Sequence, residues 1–186
     1  MNLYLVRHAH AEWSPDEGRP LSPRGTGDAF RLAKLLADRP FEVIYSSPYR
    51  RAIQTVRPLA ADRKLPVQIE DRFRERALGT WTATSFEVAV LRTWQDAEFS
   101  WPGGESNQDA QARGIAALAE LTADGSSDHY VVGTHGNLLA LILGHFDPSV
   151  GYDFWSSLSM PDAYHLEIRG GRQARLTRLW VPVEYG

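Results

Sequence analysis

The chain has no cysteine among its 186 residues. Disulfides, thiol nucleophiles and thiolate metal sites are thereby excluded. It has no excess of positive charge. Lys and Arg number 20 against 23 Asp and Glu, a formal net charge of −3, which gives no reason to expect a nucleic-acid partner. No apolar run reaches membrane-spanning length, and no basic segment precedes the first strand candidate at Leu3. Neither a membrane span nor a signal peptide is expected, and a cytoplasmic location is the default. Repeats, linkers and low-complexity segments are also missing. What is present is an ordinary globular composition, 43% hydrophobic and 23% charged, in a length that suits one domain with a substantial core.

The stretch Leu3-Tyr4-Leu5-Val6-Arg7-His8 organises the rest. Its short apolar run reads as a strand buried on both faces, the kind found in parallel sheets. Such sheets place ligands just outside the carboxyl ends of their strands, which is where Arg7 and His8 fall. A neutral imidazole is a nucleophile, and a guanidinium holds phosphate oxygens and stabilises their charge. An isolated Arg-His after a strand also fits a plain surface pair, so the remaining chain has to decide.

Ser22-Pro23 predicts a helix start, with Ala29, Leu32, Ala33 and Leu36 as its buried face and Arg39-Pro40 as its end. Phe41 to Tyr45 is a second strand candidate. Ser46-Ser47-Pro48 reads as an N-cap with a proline at the first helical position, and Pro58 predicts a kinked or shortened helix. Arg50 and Arg51 then lie in the first turn, where basic side chains oppose the helix dipole and where an anion is favoured. Leu65 to Ile69 suggests a short strand, and Asp71 to Trp81 a charged loop. Thr84 to Ala97 is roughly helical, and Ser106 with Asp109 resembles a capping box for the next helix. His129 to Thr134 is a further buried strand, followed by His135-Gly136-Asn137 and an apolar helix from Leu138 closed by Gly144. Two closing strands, His165 to Ile168 and Ala174 to Trp180, flank a turn at Gly170-Gly171. This order argues one α/β domain over residues 1–186.

Four features coincide: Arg7-His8 after one strand, Arg51 at a helix start after the second, Glu75 in a loop, and His135 after a later strand. Together with Leu21, Ser22, Gly25 and Ala29, with Ser46, Ser47, Arg51, Ala52, Gln54 and Thr55, and with the Pro102-Gly103-Gly104-Glu105-Ser106 loop, this set resembles the histidine phosphatase superfamily. The resemblance runs from Leu3 to about Leu143 and implies a phosphoglycerate mutase-like fold: a mostly parallel central sheet flanked by helices in three layers. It implies His8 as the nucleophile, forming a transient phosphohistidine. Arg7, Arg51 and His135 would bind the phosphoryl oxygens, with Asn137 and Ser14 as further donors. Glu75 would be the proton donor, protonated when the ester binds, with Glu105 in reserve. The transferred group spreads charge over its oxygens, and permanently charged planar arginines suit that task. No cofactor and no metal is implied, and the expected partner is a small phosphate ester. Oligomeric state is not readable.

The chain departs from the family at Ala9-His10-Ala11-Glu12-Trp13-Ser14, where relatives often carry Gly-Glu-Thr-x-x-Asn after the histidine, and at Gly79-Thr80-Trp81-Thr82-Ala83. These changes bear on substrate identity, as do the aromatics Trp13, Trp81, Trp94 and Trp101, which either shape a pocket or belong to the framework. Metal-independent phosphomonoester hydrolysis is the leading expectation. A mutase is the nearest rival, disfavoured by the short stretch between Gly79 and Ser106 and a short tail. A metal-dependent hydrolase using His8, His10 and His135 and a non-catalytic phospho-ligand binding protein are the alternatives of other classes.

Overall fold

The computed structural model describes all residues except 15, 83, 124, 126, 170–173 and 183–186. Among the described residues, six strands form one sheet in the order β3-β2-β4-β1-β5-β6. The strands are β1 (Asn2–Arg7), β2 (Val43–Ser46), β3 (Val67–Ile69), β4 (His129–Thr134), β5 (Asp162–Ile168) and β6 (Ala174–Arg178). The first four run parallel, while β5 pairs antiparallel with β1 and β6 antiparallel with β5. The helices are α1 (Pro23–Leu36), α2 (Arg50–Arg63), α3 (Phe86–Gln95), α4 (Asn107–Leu121), α5 (Gly136–Phe146) and α6 (Tyr152–Ser156), with a 3₁₀ turn at Asp71–Phe73. Among the described residues no helix is long and apolar enough to cross a membrane.

The three layers follow from the two-residue alternation of strands. In β1, Leu3 and Leu5 point into one core with residues of α4 and α5, while Tyr4 and Val6 point into another with residues of α1 and α2. Strand β4 divides the same way: Tyr130 and Val132 to the first core, Val131 to the second. The resemblance's mostly parallel sheet flanked by helices is what the chain forms.

Two helix starts read from sequence hold in detail. The Ser22 side chain accepts the Gly25 N–H at 3.1 Å, and Ser106 accepts that of Asp109 at 3.0 Å. Three readings need correction. Ser46 and Ser47 do not cap α2: its N-cap is Tyr49, without a side-chain bond, because Ser47 Oγ is engaged by His135 and Ser46 Oγ donates to the Ser47 carbonyl. Pro58 does not shorten α2, which continues to Arg63. Val56, Leu59 and Ala60 are buried on either side of it, and their packing offsets a proline cost of about 3 kcal/mol. Gly144 does not close α5, which runs to Phe146. A β-carbon at Gly144 would lie 3.0 Å from the Val150 carbonyl, so the small residue serves close approach of the chain that follows. The predicted Gly170-Gly171 turn lies outside the described residues.

Candidate active site

The site is built by register. Strands β1 and β4 lie side by side with Arg7 opposite Thr134, so each strand's next residue is a histidine, His8 and His135. The His8 N–H donates to the Thr134 carbonyl at 2.9 Å, and the two imidazoles meet edge to face with centroids 5.1 Å apart. Strand β2 ends one position lower, with Ser46 opposite Gly133, and delivers Ser47 and then α2, with Arg51 in its first turn.

Both rings are shut away from water: His8 is 7% exposed and His135 is not exposed at all. The His8 Nδ1–H donates to the Ala9 carbonyl at 2.8 Å, leaving Nε2 as the lone-pair nitrogen, and Arg51 Nε donates to it at 3.2 Å. Burial, reinforced by the charges of Arg51, Arg7 and Arg19, pushes the His8 imidazole down to about 3, against the partial opposition of the Ala9 bond. His135 is lowered well below its usual value by the same causes, burial first and the His8 ring next. Arg51 Nη2 meets His135 Nδ1 at 3.3 Å. A guanidinium only donates, so Nδ1 accepts and, in the neutral ring, Nε2–H donates to Ser47 Oγ at 2.8 Å.

The guanidinium groups are held by the backbone. Arg7 Nη1 donates to the carbonyls of Leu158 at 2.9 Å and Ser159 at 3.3 Å. Its Nε lies where a β-carbon on residue 136 would come within 2.9 Å, so glycine at the start of α5 makes room for it. Arg51 Nη1 donates to the Glu17 carbonyl, and its Cζ lies 4.7 Å above the Tyr49 ring. Glu75 lies against the first turn of α5: Oε2 accepts the Asn137 N–H and Oε1 the Leu138 N–H, each at 3.0 Å. Two of the helix's free donors are satisfied by the Glu75 side-chain oxygens.

A cavity of about 590 Å³ joins these groups. Arg7, His8, Arg51, Glu75 and Asn137 line it, and His135 lies behind His8 and Arg51. Ser14, expected as a phosphate donor, is not among the lining residues: its Oγ accepts the Asp16 N–H at 3.1 Å and its carbonyl takes Arg19 Nη1 at 2.5 Å. Glu105, the reserve proton donor, does not line the cavity either. It is paired at two points with Arg113, at 2.6 and 2.8 Å, and Arg113 also donates to the carbonyls of Arg72 and Arg74. The Glu105–Arg113 pair thus braces the segment that carries Glu75. His10 lines the cavity with Nδ1 2.9 Å from Ser22 Oγ. Among the described residues, no group of three or more His, Cys, Asp or Glu side chains is placed to hold a metal ion.

Sequence reasoning missed two further arginines on the cavity wall, Arg19 and Arg76. Arg19 acts on His8, His135 and Arg51 through its charge. Of the four tryptophans considered for a pocket, Trp13 lines the cavity at 85% exposure, and Trp155, not considered, lines it too. Trp94 packs on the core and Trp101 donates to the Ala89 carbonyl.

A neutral, buried imidazole among guanidinium groups at the carboxyl ends of a parallel sheet defines an α/β protein that handles an oxyanion. The sequence model of the histidine phosphatase superfamily (branch 1) matches residues 3–180, and the chain belongs to that family. It is 33% identical over 160 residues to a glucosyl-3-phosphoglycerate phosphatase of Mycolicibacterium vanbaalenii, covering 75% of this chain and 71% of that one. It is also 33% identical over 150 residues to phosphoserine phosphatase 1 of Hydrogenobacter thermophilus, covering 73% and 71%. Among solved structures, a mycobacterial glucosyl-3-phosphoglycerate phosphatase superposes with a TM-score of 0.78 at 26% identity, over 95% of this chain and 97% of the other.

Proposed function

We propose that the chain is a metal-independent phosphomonoester hydrolase that acts on a small phosphorylated metabolite through a phosphohistidine at His8. The observation that carries the reading is the His8 ring itself: neutral, fixed by the Ala9 carbonyl, and presenting Nε2 beside Arg51. Relatives named for hydrolysis of small phosphate esters support the substrate class.

In this reading the phosphoryl oxygens lie among Arg7, Arg51 and His135, with Arg19 and Asn137 beside them. Arg51 exchanges its long contacts to the two rings, 3.2 and 3.3 Å, for stronger bonds to anionic oxygens. The Nε2 lone pair attacks phosphorus, the ester P–O bond breaks, and the Glu75 carboxyl gives its proton to the departing alkoxide. Water then attacks phosphorus, its proton passes to Glu75, and the P–N bond returns its electrons to Nε2 as phosphate leaves. The protein's contribution is position and charge, which is what phosphoryl transfer demands.

The test is phosphate release from p-nitrophenyl phosphate in the presence of a chelator, by the native chain and by His8→Ala. Release that survives chelation and is lost in the variant is the expected result. Release abolished by the chelator, or retained by His8→Ala, would overturn the proposal.

A further inference from the structure

Arg51 touches both imidazoles, through Nε to His8 Nε2 at 3.2 Å and through Nη2 to His135 Nδ1 at 3.3 Å. A phosphoryl group displaces these contacts, because its oxygens take the same edge of the guanidinium. Two other contacts then remain. Nη1 donates to the Glu17 carbonyl at 3.3 Å, and Cζ lies 4.7 Å above the Tyr49 ring. Both lead to one side chain. The Tyr49 hydroxyl donates to Glu17 Oε1 at 2.7 Å, so the ring that covers the face of Arg51 belongs to the residue that also ties down Glu17. The same ring meets that of His135 edge to face, with centroids 5.0 Å apart. The main chain of Tyr49 is placed by Ser47, whose Oγ accepts the Tyr49 N–H at 3.2 Å and the His135 Nε2–H at 2.8 Å.

We infer that Tyr49 is the positioning residue for Arg51: its ring face holds the guanidinium in the plane the phosphoryl oxygens require while the histidine contacts are exchanged. The inference rests on the phosphatase reading and adds a residue to it. A face contact suits the task. Stacking on an aromatic ring fixes the plane of a guanidinium and consumes none of its N–H donors, so the edge stays free for an oxyanion. A carboxylate partner would also hold Arg51, but it would occupy those donors and offset the charge the phosphate needs. Tyr49 does not act on the substrate itself. It is not among the residues lining the cavity of His8 and Arg51, and it lines a neighbouring recess of about 560 Å³ beside Glu17 and Arg74. Nor does it supply the reaction's proton. Its hydroxyl is committed to Glu17, and burial together with that bond pushes the phenol up to about 12. The family pattern read in the sequence leaves this position, between Ser47 and Arg51, unspecified.

The test separates the ring from the hydroxyl. Tyr49→Leu keeps apolar bulk without a π face, and Tyr49→Phe keeps the ring without the hydroxyl. Each folded variant is compared with the native chain in the dissociation constant of inorganic phosphate, by calorimetry, and in kcat and KM for p-nitrophenyl phosphate. Tyr49→Leu is expected to weaken phosphate about fivefold, the value of a cation–π contact, and to lower kcat/KM by at least as much. Tyr49→Phe should recover most of both. The loss should also run through Arg51: in an Arg51→Gln background, Tyr49→Leu should weaken phosphate by less than about twofold, since the contact is already gone. A Tyr49→Leu chain that loses kcat alone, with native KM and phosphate affinity, is only a less stable protein and overturns the inference. So does a Tyr49→Phe chain as weak as Tyr49→Leu, which gives the role to the Glu17 bond, and so does a full fivefold loss on top of Arg51→Gln. Should Tyr49→Leu not fold, Tyr49→Met, which also lacks a π face, takes its place. A native chain that hydrolyses the ester but matches Tyr49→Leu in every constant sinks the inference and leaves the phosphatase reading standing. If the native chain binds phosphate without hydrolysing the ester, the phosphatase reading falls, and the phosphate constants still decide the role of Tyr49.

Discussion

Three arginines alternate along the segment before the Gly79 turn, and nothing in their spacing tells them apart. In the fold, Arg72 pairs with Glu70 and Glu120, Arg74 pairs with Asp71, and Arg76 is buried on the cavity wall, its Nε and Nη1 without a hydrogen-bond partner among the described residues. The partners come from other elements or from local turns, so only three-dimensional placement separates a solvated ion pair from a residue of the cavity wall. His8, Arg51 and His135 were legible because each follows a strand that the apolar pattern announces. Ser14 does not line the cavity, and a polar loop gives no periodicity from which its side chain could have been oriented. The two histidines also carry a prediction. Both are held neutral by burial, His8 down to about 3, while an unfolded chain protonates them near 6.5. The unfolded state therefore binds more protons as pH falls through that window, and the stability these residues permit above 6.5 is lost on the way down towards 3. Denaturant midpoints measured across that range should fall with pH, and the fall should be shallower in His8→Asn, whose side chain does not titrate. A slope unchanged by the substitution would remove His8 from the account.

Between elements, the clearest dependence runs from the last strand to the first. Arg178 in β6 pairs with the fully buried Asp162 in β5 at 2.6 Å. The Asp162 carboxylate accepts the Ser159 N–H at 3.0 Å, and the carbonyls of Leu158 and Ser159 hold Arg7. Arg178→Ala leaves Asp162 buried without its cation. It should cost about 3 kcal/mol, the lower end for breaking a buried pair, since Arg178 is itself partly exposed. Urea unfolding measures the cost. Because the lost support reaches Arg7, kcat/KM for p-nitrophenyl phosphate should fall in the same variant under conditions where it is fully folded. The sequence announced β5 and β6 through their apolar alternation. It held no sign that β5 runs antiparallel beside β1, since pairing partners are set by packing across more than a hundred residues. The short α6 was equally illegible: five residues are too few to display a helical period.

The molecule as a whole is weakly acidic, with a formal net charge of −3, yet its cavity is lined by Arg7, Arg19, Arg51 and Arg76 against Glu12 and Glu75. A concentrated positive field inside a low-dielectric cleft draws in anions more strongly than the net charge suggests. The value of kcat/KM for a phosphate ester should therefore fall as salt is raised, while unfolding midpoints change little over the same range. A salt-independent kcat/KM would mean that the cleft's field does not steer the substrate. Composition reported only the balance over the whole surface and was silent on this separation of charge. The α/β class was legible at this scale from the order of strand and helix patterns, and the layered, mostly parallel sheet from the family resemblance.

The pairing of β1 with β4 and β5 also sets an order of events during synthesis. Arg7 and His8 leave the ribosome more than a hundred residues before the strands that pair with β1. Their strand neighbours begin at His129 and Asp162, and the carbonyls that fix Arg7 are those of Leu158 and Ser159. Until those segments emerge, His8 has no cradle and its strand has neither neighbour. The candidate site is therefore completed only once β4 and β5 have emerged, and its assembly coincides with closure of the middle of the sheet.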